Sequence, residues 1–342
     1  MPIERVIGQV GPDEENYLTS LRPRALDECV GQEVVREQLR IALDAARQRG
    51  EPLDHVLLDG PPGLGKTTFA HVIAHEMGAR LQVTSGPAIT RQGDLMAILT
   101  QLETGDVLFV DEMHRLQKVV EEFLYPALED FRVDYTTESG IGGRTVNFPL
   151  KRFTLVGATT RAGMLSGALH SRFGLFFHLQ YYTIEELTRI VARNAKLLKV
   201  QAERPALERL AARSRGTPRI VNRLLRRVRD YAEVRSDGRL TPAVVDAALN
   251  ILQIDALGLD VLDRAYLAAL MQHYDGGPAG IEAIAASMGH ERDTLEDVVE
   301  PYLLQIGFVI RTPRGRVARP AAYEHLGLPP PTGPQALPTL FE

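Results

Sequence analysis

Gly60-Pro61-Pro62-Gly63-Leu64-Gly65-Lys66-Thr67 sets glycines, one lysine and one hydroxyl at the spacing of a phosphate cradle. Glycines let backbone N–H groups close around an anion, and a helix that starts at the lysine adds the positive end of its dipole. In that arrangement Lys66 reaches the outer phosphates of ATP and the Thr67 hydroxyl holds Mg²⁺, while Gly63, Gly65 and Thr68 complete the nucleotide-binding loop. A plain Gly/Pro turn is the competing reading. It lacks what stands on either side here, an apolar run His55–Asp59 and a helical stretch Thr67–Met77.

A phosphate loop serves kinases, GTPases and motors alike, so the next acids decide between them. Val107–Val110 is an apolar strand that ends in Asp111 and Glu112. Asp111 is placed to bind the Mg²⁺ shell, and Glu112 to orient and polarise an attacking water. Two buried acids without a cation would be costly, which weighs against an ordinary strand end. In Gly216-Thr217-Pro218-Arg219 the proline opens a helix and puts Arg219 in its first turn, from which a side chain can swing toward phosphate.

Four apolar runs, His55–Asp59, Leu81–Ser85, Val107–Asp111 and Phe153–Ala158, alternate with helical stretches, the pattern of a parallel α/β sheet. Near Thr183 the pattern becomes helix only, opening on a Thr183/Glu186 capping box. After Asp255 come amphipathic stretches at about 260–274, 281–288 and 294–306, then the Arg-rich segment Arg311–Arg319, the order of a winged helix-turn-helix. The divisions drawn are 1–182, 183–255, 256–328 and a Pro-rich tail 329–342 that lacks core-forming residues.

The net charge of −5 excludes a generally basic nucleic-acid coat, so DNA contact needs a local patch. Residues 291–305 carry five acids and one base, Arg292, a poor helix for a major groove. Arg311, Arg314 and Arg316 follow with no acid between them, and such a stripe suits sequence-independent phosphate contact. A solvated turn is the alternative. The single cysteine, Cys29, excludes an internal disulfide framework, and no apolar run approaches a membrane span. The reading is a soluble, cytoplasmic protein.

Several runs together resemble the RuvB family of AAA+ motors, across about residues 18 to 328: Leu21-Arg22-Pro23, Gly60–Thr68, Thr84-Ser85-Gly86-Pro87, Asp111–Arg115, Tyr125-Pro126-Ala127, Gly157–Gly163, Arg215–Arg229 and Arg311–Arg316. The resemblance implies an AAA+ P-loop parallel-sheet domain, a small helical lid domain and a C-terminal winged-helix domain. It implies a homohexameric ring that moves four-way-junction and duplex DNA with RuvA, and works with RuvC in the resolving complex. Phe153–Arg161 looks like the strand that senses the γ-phosphate, through Thr160 first and Thr159 next. Spacing alone does not exclude that Arg172 is a plain surface arginine; the resemblance makes it an arginine finger for the neighbouring subunit. It also puts Leu21, Arg22 and Tyr182 on the adenine side, Glu129 and Asp130 near the nucleotide at the subunit interface, and RuvA on a hairpin at 133–148.

The chain departs from the family pattern in two places. Ser166-Gly167-Ala168-Leu169-His170 stands where a proline and an arginine are usual, so a looser local helix is expected. The hairpin tip Glu138–Arg144 is Gly-rich and unlike other members. The alternative function is an ATP switch of the clamp-loader or initiator type, which turns over once per assembly event instead of continuously.

Overall fold

The computed structural model describes residues 17–136 and 145–329. The expectations placed on Glu138–Arg144 and on the tail beyond Pro329 lie outside the described residues. By contacts the described chain forms two units, one of residues up to Ile190 with Gly216–Arg219, the other of Val191–Arg215 with the chain from Ile220 onward.

The first unit carries seven strands: β1 Val56–Asp59, β2 Leu81–Ser85, β3 Val107–Asp111, β4 Arg132–Thr136, β5 Thr145–Pro149, β6 Thr154–Thr159 and β7 Leu175–His178. Five form one parallel sheet in the order β2-β3-β6-β1-β7, and β4 pairs β5 as a separate antiparallel hairpin. Successive residues of a strand face opposite ways, and both faces are covered here. Val56, Leu58, Val107 and Phe109 pack with helices α1 (Glu33–Arg49) and α2 (Lys66–Glu76), whereas Leu57, Leu108 and Val110 pack with α3 (Gln92–Leu99) and α4 (Lys118–Glu129). That double burial is why the runs read as continuous apolar segments.

The fifth parallel strand, β7, was not among the four expected. Of its residues only Phe177 is buried, so it carries little of the double-sided pattern. The capping box forms as expected at α5 (Ile184–Leu197): the Thr183 amide and hydroxyl donate to Glu186 Oε2 at 2.7 and 2.9 Å, and the Glu186 amide donates back to Thr183 Oγ1 at 3.2 Å.

In the second unit, helices α6 (Arg204–Ala212), α7 (Pro218–Arg235) and α8 (Pro242–Ile251) precede a winged-helix core. That core gathers Tyr266 and Leu270 of α9 (Val261–His273), Ile284 of α10 (Ile281–Met288), Leu303 of α11 (Glu300–Gln305), Val309 of β8 (Val309–Thr312), Ala318 of β9 (Gly315–Ala318) and Tyr323 of α12 (Pro320–Leu326). The helix expected over 294–306 is interrupted: residues 295–299 take a wider π turn before α11. Pro301 supplies the cause, since its ring has no N–H and crowds the carbonyl four residues back. No helix of the described residues is long and apolar enough to cross a membrane.

Candidate nucleotide site

β1 ends at Asp59 and α2 begins at Lys66, so the loop between them lies at the carboxyl edge of the sheet, where open α/β sheets place ligands. Gly60 (φ +135°) and Gly63 (φ +81°) stand in backbone conformations that L side chains avoid. A Cβ at Gly60 would lie 2.5 Å from the Leu179 carbonyl oxygen, and one at Gly63 would lie 3.2 Å from Arg219 Cβ. The loop is therefore packed from above by the segment that carries Arg219, whose amide donates to Gly63 O at 3.3 Å.

Lys66 is 7% exposed, and its ammonium donates to Gly60 O and Pro61 O at 2.7 and 2.8 Å. Burial lowers its pKa to about 8; Asp111 and Asp59 act to raise it, and Arg219 adds to the lowering. Lys66, Asp111 and Arg219, chosen from three distant motifs, thus share one electrostatic neighbourhood. Asp111 Oδ1 accepts the Glu112 amide at 2.9 Å. Glu112 sits at φ +49°, ψ +44°, an uncommon conformation for a side-chain-bearing residue, and its carboxylate pairs with Arg115 at 3.1 Å.

At the end of β6 the two threonines differ. Thr159 is buried, its Oγ1 within 3.0 Å of His114 Nδ1 and accepting the Arg161 amide at 3.0 Å. Thr160 lies just past the strand and is exposed. Tyr182 donates through its hydroxyl to Leu64 O at 3.2 Å and through its amide to Gly216 O at 2.9 Å, which ties it to the phosphate loop. Leu21 is buried, and Arg22 Nη1 lies 3.0 Å from His71 Nε2 on the phosphate-loop helix.

Arg172, Glu129 and Asp130 belong to a second cluster. Arg172 Nη1 donates to Ala168 O at 2.7 Å and Ser171 Oγ at 3.1 Å, Nη2 meets Glu129 Oε2 at 3.0 Å, and the guanidinium lies 5.0 Å over the Tyr125 ring. Asp130 pairs with Arg132 at 3.2 Å. The segment expected to form a looser local helix makes a single short helical turn, Gly167–His170. Ser166 Oγ accepts the Leu169 amide at 3.0 Å, and His170 stacks on Phe176 with ring centroids 4.3 Å apart.

Sequence reasoning missed Asp59 and His178, whose Nδ1 lies 2.7 Å from Asp59 Oδ2 beside the loop. Asp59 carried the same signal that picked out Asp111, an acid closing an apolar strand. It also missed the environment of the arginine stripe. Arg314, in the turn between β8 and β9, is exposed, but Arg311 and Arg316 both bond Glu300, an acid eleven and sixteen residues upstream of them.

Comparison with known proteins agrees with this geometry along the chain. Three family models match in succession: the Holliday junction DNA helicase RuvB P-loop domain over residues 21–179, the RuvB AAA lid domain over 182–255 and the RuvB C-terminal winged helix domain over 256–327. The solved structure of the Thermotoga maritima RuvB Holliday junction branch migration motor is 53% identical, with 91% of this chain and 99% of that chain covered and a TM-score of 0.82. A lysine-to-arginine mutant of the same Thermotoga protein is 52% identical, covers 90% of this chain and 98% of that chain, and has a TM-score of 0.84. These matches do not favour the clamp-loader or initiator alternative. A buried phosphate-loop lysine near Asp111 of β3 and Asp59 of β1, carried on a P-loop sheet and followed by a helical lid and a winged helix, makes this chain a member of the RuvB family of ATP-driven Holliday junction motors.

Proposed function

We propose that this chain is one subunit of a homohexameric ring that couples ATP hydrolysis to movement of duplex DNA through four-way junctions, in the cytoplasm. It acts with RuvA, and with RuvC when junctions are resolved. The observation that carries the reading is the convergence of Lys66, Asp111 and Arg219 on one phosphate loop in a chain that matches RuvB from residue 21 to 327. We divide the chain at 182/183, 255/256 and 328/329.

In this reading the backbone of Gly63 and Gly65 with Thr68 cradles the phosphates, and Leu21, Arg22 and Tyr182 flank the adenine. Lys66 exchanges the Gly60 and Pro61 carbonyls for phosphate oxygens, which costs it little because it is already desolvated. The donor set fits Mg²⁺, which takes one or two carboxylates and keeps its other places for water and phosphate: Asp111 and Thr67 are such a set. When bound, Mg²⁺ supplies neutralisation of the phosphate charge. Glu112 leaves Arg115 to orient the attacking water, and Thr160 and Arg219 read the γ-phosphate. Arg172, with Glu129 and Asp130, serves the nucleotide of the neighbouring subunit. RuvA docks on the 133–148 hairpin, where Val146 and Phe148 are exposed apolar residues of β5. The wing formed by β8 and β9, which carries Arg311, Arg314 and Arg316, faces DNA.

The test is ATP turnover and strand exchange on synthetic four-way junctions, with and without RuvA. Junction movement that needs ATP and is stimulated by RuvA is expected. ATP turnover without any junction movement in the presence of RuvA overturns the reading.

A further inference from the structure

Glu300 has no exposed surface, yet it is an acid on a helix already poor in bases. A lone buried carboxylate is strongly disfavoured, so its partners have to account for it. Arg311 Nε and Nη2 donate to Glu300 Oε2 at 2.9 and 2.5 Å. Arg316 Nε donates to Oε1 at 2.7 Å and its Nη2 to Oε2 at 3.3 Å, and the hydroxyl of the fully buried Tyr266 donates to Oε1 at 2.8 Å. The two arginines differ in what remains of them. The Arg316 side chain is 15% exposed, also lies 3.7 Å from Glu296, and its backbone is bonded both ways to Ala279 at 2.7 and 3.0 Å. The Arg311 side chain is 46% exposed, and bonding through Nε and Nη2 turns the opposite edge of its guanidinium, Nη1, away from the carboxylate.

Resting on the reading that this wing contacts DNA phosphates, we propose that Glu300 is the positioning residue of the wing: it fixes Arg311 in a contact-ready pose and removes Arg316 from the contact set. The cations that meet phosphate are then Arg311 and Arg314, while Arg316 anchors β9 to the core. A guanidinium held on one edge loses less conformational entropy when its other edge meets an anion, so Glu300 raises affinity without touching DNA.

The test is equilibrium binding of the full chain to two unrelated duplexes by fluorescence anisotropy. It is measured against salt concentration and well below each variant's thermal midpoint. Arg311→Ala and Arg314→Ala should each flatten the log–log salt slope by about one unit. Arg316→Met should lower the thermal midpoint and leave the slope unchanged. Glu300→Gln should flatten the slope by about one unit although it removes no cation, and adding Arg311→Ala to it should flatten it no further. In Glu300→Gln/Arg316→Met the buried cation goes with its acid, so the midpoint should recover while the slope does not.

A slope recovering together with the midpoint, a slope in Glu300→Gln equal to that of the unaltered chain, or Arg316→Met flattening it as much as Arg314→Ala would each overturn the assignment. An unaltered chain whose affinity does not fall with salt would instead overturn the DNA reading of the wing, and the assignment with it.

Discussion

Lys66 is a cation that its own loop keeps out of water, and its ionisation is the most direct report on the site. With its pKa near about 8, where a free lysine titrates at 10.5, the nucleotide-free chain pays for the charged form below pH 8 and is relieved of that cost as pH rises. A triphosphate favours the charged form, so Lys66 should take up about 0.9 of a proton on ATP binding at pH 9 and only about 0.1 at pH 7, where the ammonium is mostly present. Calorimetric titrations in two buffers of different ionisation enthalpy measure this; identical heats at the higher pH would show that Lys66 is not perturbed. Substitutions separate the steps. Lys66→Ala should abolish ATP binding, whereas Glu112→Gln should bind ATP and fail to hydrolyse it, as read by nucleotide affinity alongside single-turnover hydrolysis. Normal turnover in Glu112→Gln would remove Glu112 from the water-orienting role. Its φ of +49° and its pairing with Arg115 describe a side chain held ready, and neither feature was visible in the sequence, where Glu112 is simply the second acid of a pair.

Elements are joined at His55, which leads into β1. Its Nδ1 accepts the Leu155 amide of β6 at 2.9 Å, which requires a proton on Nε2, and that nitrogen faces the Leu128 carbonyl of α4 at 3.1 Å. Burial lowers its pKa, so the unfolded chain takes up a proton more readily than the folded one. Stability contributed by the neutral ring is complete above about pH 6.5 and is lost as pH falls below it. Thermal midpoints followed between neutral and acid pH should therefore drop more steeply in the unaltered chain than in His55→Gln, which keeps an acceptor and a donor but does not titrate. Equal slopes would place the acid sensitivity elsewhere. The elements themselves were legible to different depths. β1, β3 and β6 could be read because burial on both faces makes them continuous apolar runs, the edge strand β2, none of whose residues is fully buried, because it stands between helical stretches, and the cap at Thr183 because both partners lie within three residues. β7 hides because only short turns, the longer of them Gly167–His170, separate it from β6, so the alternation of strand and helix does not mark it, and the arginine stripe misled because Glu300, which binds two of its members, is remote in sequence.

At the scale of the molecule the proposed ring makes each active site a shared object. Arg172 is held in its own chain by Glu129 at 3.0 Å, with side chains 26% and 62% exposed, and a pair so open to solvent is worth at most about 1 kcal/mol. In the proposed ring, transfer of the guanidinium to a neighbour's phosphate exchanges this pair, the bonds to Ala168 O and Ser171 Oγ and the face of Tyr125 for the anion. Arg172→Ala and Glu112→Gln should each lack turnover as pure proteins, since such a finger is worth about 10³–10⁵ in rate. Mixed, they should recover ATPase, most strongly near equal proportions, because the first retains Lys66, Asp111 and Glu112 and the second lends an intact Arg172. Energy transfer between labelled variants verifies that rings mix; mixed rings without recovery would count against Arg172 acting across the interface. The sheet order β2-β3-β6-β1-β7 has a further consequence, for the growing chain. β1 emerges early, but both of its neighbours, β6 and β7, are encoded about a hundred residues later. At 5–20 residues per second, roughly 6–24 s separate the synthesis of Asp59 from that of His178. Until Thr159 is made, roughly 5–20 s after Asp59, Val56-Leu57-Leu58 has neither edge paired, and from then until His178 it has a partner for one edge only, so the segment is exposed to aggregation throughout.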